Sequence, residues 1–322
     1  MNGETEVQQT QGASAAQKNK KNGALRGSLI LALGAAIWGC AFVAQNVGMD
    51  YIGPLTFGGA RSFIGTLTLL PFVLLGEKKE RRELGLDKAQ IKKRVRGDWL
   101  AFLILGLAVT VPTTLQQIGL TTTSPGKSGF ITAMYIVAVP VLSILLGKRP
   151  GWNVLISVLL GVAGLYFLCV TGELSIERGD MITLISVLFW GVQILLTDRY
   201  SKKMNCLKMT CGAFFICGVL STIMMFMFEK PTLEGLRGCL IPLLYTGVMS
   251  TGIAYTLQAL GQKTTPPTVA SLVMSLESVF AALAGYVILH DALSPRELLG
   301  AGLMLCAVVL AQIEFKPHKE MQ

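Results

Sequence analysis

Ten stretches of about twenty apolar residues follow one another along this chain, at roughly 27–47, 54–76, 99–120, 126–147, 152–171, 179–198, 208–228, 238–260, 267–289 and 296–315. No other feature limits the fold so strongly. An α-helix of about twenty apolar residues crosses the ~30 Å hydrocarbon core of a bilayer. In lipid the backbone must satisfy its own hydrogen bonds, which leaves only helices and closed barrels. Helical length and the absence of short alternating segments select the helix. Of the 322 residues 52% are hydrophobic and 15% are charged, where soluble domains carry about 25% charged. Gly53-Pro54, Ser124-Pro125, Pro150-Gly151, Pro231, Pro266-Pro267 and Pro295 punctuate the stretches, and proline just inside a helix start suits its first turn. The expected fold is an all-α membrane protein of ten transmembrane helices, with the lipid bilayer as its solvent.

Residues 1–26 are polar and are expected to form a disordered tail. They contain no apolar core of a separate signal peptide, so the first helix anchors the chain. With the N-terminus inside, 22 Lys and Arg fall on the inner side and 5 on the outer, while Arg61 lies within a helix. Positive-inside bias therefore puts both termini, 1–26 and 316–322, in the cytoplasm of a cell-membrane protein. The net charge is +9, and the loop 77–98 is the richest basic stretch. Its expected contact is anionic lipid headgroups, not nucleic acid. The sequence leaves the oligomeric state open.

Two ungapped matches expose an internal duplication. GAAIWGCAFV (34–43) aligns with SVLFWGVQIL (186–195) at an offset of 152, and LQQIGLTTTSP (115–125) with LQALGQKTTPP (257–267) at an offset of 142. Residues 27–171 and 178–315 are thus two repeats of five helices. Five is odd, so the second repeat enters the membrane from the opposite side. Inverted repeats of this kind build many secondary transporters, with solute bound near the midplane between them.

On GKSGFITAMYIVAVPVLSILLGKRPG (126–151), GLYFL (164–168) and ASLVMSLESVFAALAGYVILHDALSPRELLGAGLML (270–305), the chain resembles the EamA-type branch of the drug/metabolite transporter superfamily. The likeness runs from about 27 to 315. It implies ten helices, two five-helix repeats and export or exchange of small metabolites. Two positions depart from the family's pattern. Members often have Glu-Pro at Glu277-Ser278, so the serine implies a straighter helix 9. They often have Glu where Asp291 follows His290.

Polar residues inside the helices mark the candidate site. Glu277 lies ten residues into helix 9, about 15 Å deep, on the side away from Leu272, Leu276, Val279, Leu283 and Val287. A midplane charge costs at least ~2.5 kcal/mol and commonly marks a pathway or proton relay. Two roles stand for Glu277: a coupling acid, or a hydrogen-bonded tie between helices. Tyr135 takes its repeat position in helix 4. Trp38 and Trp190 are repeat-related and sit in mid-helix, away from the headgroup level where Trp usually anchors. Gln45 shares a face with Trp38; Gln193 and Thr197 share one with Trp190. Gln116 and Gln258 are repeat-related amides, and Thr251, Tyr255 and Gln258 form a polar face on helix 8.

Trp38, Gln45, Gln116, Tyr135, Trp190, Gln193, Tyr255, Gln258 and Glu277 are expected to line a central cavity between helices 1, 3, 4, 6, 8 and 9, binding a small-molecule substrate or tying helices together. Arg61, about 10 Å deep in helix 2, either snorkels outward or pairs with a buried or substrate carboxylate.

No nucleotide-binding, zincin or nucleophile-elbow pattern occurs, and His290 and His318 are too few and too far apart for a metal site. No cofactor, metal or enzymatic activity is expected. A secondary transporter of small organic metabolites such as amino acids, working by alternating access, is the first reading. A passive channel is the alternative, though a pore needs a continuous polar lining and these polar sites are scattered.

Overall fold

The structure, a computed structural model, describes residues 2–84, 88–148, 150–170, 177–289 and 294–313. Among the described residues ten helices are long and apolar enough to cross a membrane. They are span 1, Asn22–Met49; span 2, Pro54–Lys78; span 3, Arg96–Gly119; span 4, Pro125–Leu145; and span 5, Trp152–Cys169. The second set is span 6, Arg178–Ser201; span 7, Cys206–Phe228; span 8, Leu240–Gln262; span 9, Pro267–Ala284; and span 10, Pro295–Gln312.

Span 1 is the end of a longer helix, Asn2–Met49, so the tail expected to be disordered is helical from Asn2. A helix anchored by a buried span extends without a new nucleus, and the Ala, Gln, Lys and Glu of the tail favour helix. His290, Asp291, Arg149 and residues 316–322 lie outside the described residues, as do most side chains of the basic loop.

Helix starts are satisfied locally. Ser124 accepts from the Lys127 backbone N–H, and Glu177–Asp180 and Ser294–Glu297 form capping boxes. Span 2 takes its cap from a distant residue: the Glu229 carboxylate accepts from the Leu55 and Thr56 backbone N–H groups, both at 2.8 Å. A carboxylate there also complements the positive end of the helix dipole.

The duplication is visible in how the helices cross. Span 1 packs against spans 8 and 9, and span 6 packs against spans 3 and 4. At the first crossing Gly27 meets Gly261; a Cβ on Gly261 would stand 2.8 Å from the Gly27 carbonyl oxygen. At the second Gly119 meets Gly179, and a Cβ on Gly119 would stand 2.9 Å from the Gly179 carbonyl oxygen. Gly27 and Gly179 are repeat-related, as are Gly119 and Gly261, so one glycine crossing is built twice. Small residues let membrane helices approach this closely. Spans 2 and 7, and spans 5 and 10, also pair across the repeats. The protein is thus ten transmembrane helices in two interlocked, inverted five-helix repeats. Outward faces are apolar, with Leu67, Phe72, Leu188 and Phe226 exposed where lipid chains belong.

Three spans are not simple α-helices. Span 4 is interrupted at Met134, between helices Pro125–Ala133 and Tyr135–Leu145. Span 9 is interrupted at Ser275 and Leu276, between Pro267–Met274 and Glu277–Leu289. The expectation of a straighter helix 9 is therefore wrong. No proline is needed for the break: Leu276 donates to the Val273 carbonyl and Ser278 to that of Ser275, tightening the turn to 3₁₀. The Ser271 and Ser275 hydroxyls bond back to the Thr268 and Leu272 carbonyls, which bends helices. Span 8 holds a π-helix over Tyr245–Ala254.

Candidate functional site

The breaks in spans 4 and 9 place Tyr135 and Glu277 at the starts of two half-helices, where they meet. The Tyr135 hydroxyl donates to Glu277 Oε1 at 3.0 Å. Repeat-related residues touch only near the axis that relates the repeats, so this bond marks the pseudo-two-fold axis. Glu277 is buried, with 4% of its surface exposed.

Around this bond lies a cavity with about 480 Å³ of unfilled space, counted to its open mouth. All nine residues singled out in the sequence line it: Trp38 and Gln45 of span 1, Gln116 of span 3, Tyr135 of span 4, and Trp190 and Gln193 of span 6 complete six of them. Tyr255 and Gln258 of span 8 and Glu277 of span 9 complete the nine.

The lining is paired by the duplication. Trp38 and its counterpart Trp190 both line it, as do Gln116 and its counterpart Gln258, and Tyr135 is bonded to its counterpart Glu277. Phe42 with Ile194, and Thr132 with Met274, extend the pairing to residues not foreseen. The offsets of 152 and 142 already matched them, but ordinary apolar residues carried no signal of their own. Tyr255 joins the two tryptophans, with ring centroids 4.9 Å from Trp38 and 6.3 Å from Trp190.

The amides are partly held. Gln193 and Gln258 exchange hydrogen bonds at 3.4 and 3.3 Å, and Gln193 also donates to Thr197 at 3.0 Å. Gln116 donates to the Thr132 hydroxyl at 2.9 Å.

One open alternative is resolved and one expectation is corrected. Arg61 does not snorkel: it is 4% exposed and lines the cavity, adding span 2 to the six expected helices. Its Nη1 donates to Gln45 Oε1 at 2.6 Å. Among the described residues no carboxylate lies in ion-pair range of it. The polar face of span 8 is also different. Thr251 packs beside Gly65, away from the cavity, and Ser250 lines it instead. In a π-helix bonding runs from i to i+5, so Ser250 and not Thr251 falls below Tyr255. Among the described residues no cluster of three His, Cys, Asp or Glu is placed to hold a metal ion.

Residues 25–170 and 177–312 each match the model of the EamA-like transporter family. An uncharacterized transporter of Archaeoglobus fulgidus is 31% identical over 290 residues, covering 90% of this chain and 86% of that one. The uncharacterized transporter YoaV of Bacillus subtilis is 25% identical, covering 88% and 95%. A crystal structure superposes with a TM-score of 0.70 at 16% identity, covering 89% of this chain and 98% of the other, which shows a shared fold. With a double match to one family model and a 31% relative along nearly the whole length, the chain belongs to the EamA-like transporter family.

Proposed function

We propose that the protein is a secondary transporter that exports or exchanges small organic metabolites, amino acids among them, by alternating access around the central cavity. The observation that carries this reading is the lining itself, drawn in repeat-related pairs from both halves of the chain. A site shared by two inverted repeats has equivalent walls toward each side of the membrane. Rocking one repeat against the other then exchanges its two openings.

The breaks in spans 4 and 9 supply hinges at the cavity's depth. Glu277 is the acid proposed to couple proton movement to that cycle. The nine lining residues are the proposed substrate contacts, and both termini are proposed to be cytoplasmic, with repeats bounded at 27–171 and 178–315.

Counterflow in proteoliposomes tests the function. Vesicles loaded with a mixture of amino acids should accumulate labelled amino acid from outside, saturably and only when preloaded. Flux that neither saturates nor responds to preloading would support the passive-pore alternative. Reaction of a single cysteine introduced in 77–98 with an impermeant reagent added to intact cells would reject the orientation.

A further inference from the structure

The cavity holds three buried side-chain atoms with no hydrogen-bond partner among the described residues: Trp38 Nε1, Trp190 Nε1 and Arg61 Nε. All three are N–H donors. Leaving a buried donor unpaired is costly, more so for a charged one, and native interiors seldom tolerate it without a functional reason. Three in one cavity, with no acceptor among the fully buried unpartnered atoms of the same lining, describe a site that awaits an acceptor-rich group.

Arg61 sharpens the description. A guanidinium near the membrane interior is costly even on the mildest scale. Here its described bond is to a neutral amide, Gln45, through Nη1. Nε belongs to the edge with which arginine grips a carboxylate bidentately, and that proton is the unpartnered one. Glu277 lines the same cavity but does not neutralise Arg61. It accepts instead from Tyr135. The acid and the guanidinium thus share one poorly solvated space, each hydrogen-bonded to its own neutral partner.

We propose that the transported solute carries a carboxylate, and that Arg61 receives it through its Nε edge, with the two indole N–H groups as further donors to the solute's oxygens. Arg61 is then the residue that sets the solute's class. The aromatic walls of Trp38, Tyr255 and Trp190 take the organic part, which excludes small inorganic anions as the preferred cargo. This rests on the transporter reading above.

The test compares acids with their amides in the counterflow assay on the full-length protein. Leucine and phenylalanine should compete with labelled amino acid at least about 10-fold better than leucinamide and phenylalaninamide, the value of one charge-assisted hydrogen bond. Arg61→Gln should shrink that preference to within about 2-fold, and Arg61→Lys, which keeps the charge and loses the fork, should fall between. A purely structural arginine would instead weaken acids and amides alike.

Equal competition by acids and amides in the unaltered protein overturns the proposal while leaving the transporter reading intact. So does an undiminished preference in Arg61→Gln. If that variant does not fold, the unaltered protein and Arg61→Lys still decide. Absence of saturable counterflow for every labelled amino acid overturns the transporter reading and this proposal with it.

Discussion

The two repeats build the same walls but not the same chemistry. Trp38 and Trp190, Phe42 and Ile194, Gln116 and Gln258, Thr132 and Met274, and Tyr135 and Glu277 line the cavity from equivalent places. Yet the cation comes from the first repeat alone. The offset that relates spans 1 and 6, carried into spans 2 and 7, sets Arg61 against Ala213 and its partner Gln45 against Thr197. The acid comes from the second repeat alone, opposite a tyrosine. Tyr255, which joins the two tryptophans, corresponds to Thr113. The duplicated part is what a rocking cycle needs, equal surfaces at each end. The unduplicated part is what a solute with two different ends needs.

The glycine crossings offer the severest way to break this comparison. Gly119→Val and Gly261→Val each drive side-chain atoms into the backbone of the facing helix, where even a Cβ is too close. Overpacking of this kind costs about 1–3 kcal/mol where neighbours can shift, and backbone cannot shift cheaply. Both variants should lose most folded protein, read by size-exclusion chromatography of the detergent-solubilised material. A loss at one position only would show that the two crossings are alike in shape but not in energy.

Glu277 comes next. Glu277→Gln keeps volume and an acceptor for Tyr135, so folded protein should persist. If Glu277 couples protons, flux driven by a pH gradient should fall at least about 10-fold, while solute-for-solute exchange continues. Unchanged pH-driven flux in that variant ends the coupling proposal. Glu277→Ala leaves the buried Tyr135 hydroxyl unpaired and should lower stability by about 1–3 kcal/mol, measured by thermal melting of the purified protein.

Tyr135→Phe tests the same bond from the other repeat. It deletes the donor and leaves the buried Glu277 oxygen without it, and the expected loss is about 1–3 kcal/mol. A larger loss than that of Glu277→Ala would mean that the tyrosine, not the acid, secures the axis.

The smallest effects belong to the tryptophans. Trp38→Phe and Trp190→Phe each keep an aromatic wall and remove one unpartnered N–H. Each should raise the half-saturating concentration for counterflow by roughly 2–10-fold, as expected for one hydrogen bond. Trp38 lies closer to Tyr255, so its replacement should also melt earlier. Equal melting with unequal half-saturation would assign the solute to one side of the cavity.

The ten spans, the duplication and the nine lining residues follow from the sequence because a bilayer penalises every misplaced polar group. A glutamate, an amide or a mid-helix tryptophan surrounded by leucines stands out, and helical periodicity says which way it faces. The tertiary structure decided the rest. Arg61 had two directions open to it on the same helix, and only the placement of Gln45 on span 1 turned it inward. The break in span 9 arises from a shift between i−3 and i−4 hydrogen bonds, a difference too small for composition to report once proline is absent. The π-turns of span 8 moved Ser250 into the cavity and Thr251 out of it, against the ordinary 3.6-residue period. The pairing of Tyr135 with Glu277 lay half in each domain of information: the offset of 142 made them equivalent, but contact required the two half-helices to start at the axis. Periodicity describes one helix at a time, whereas a partner is a property of two.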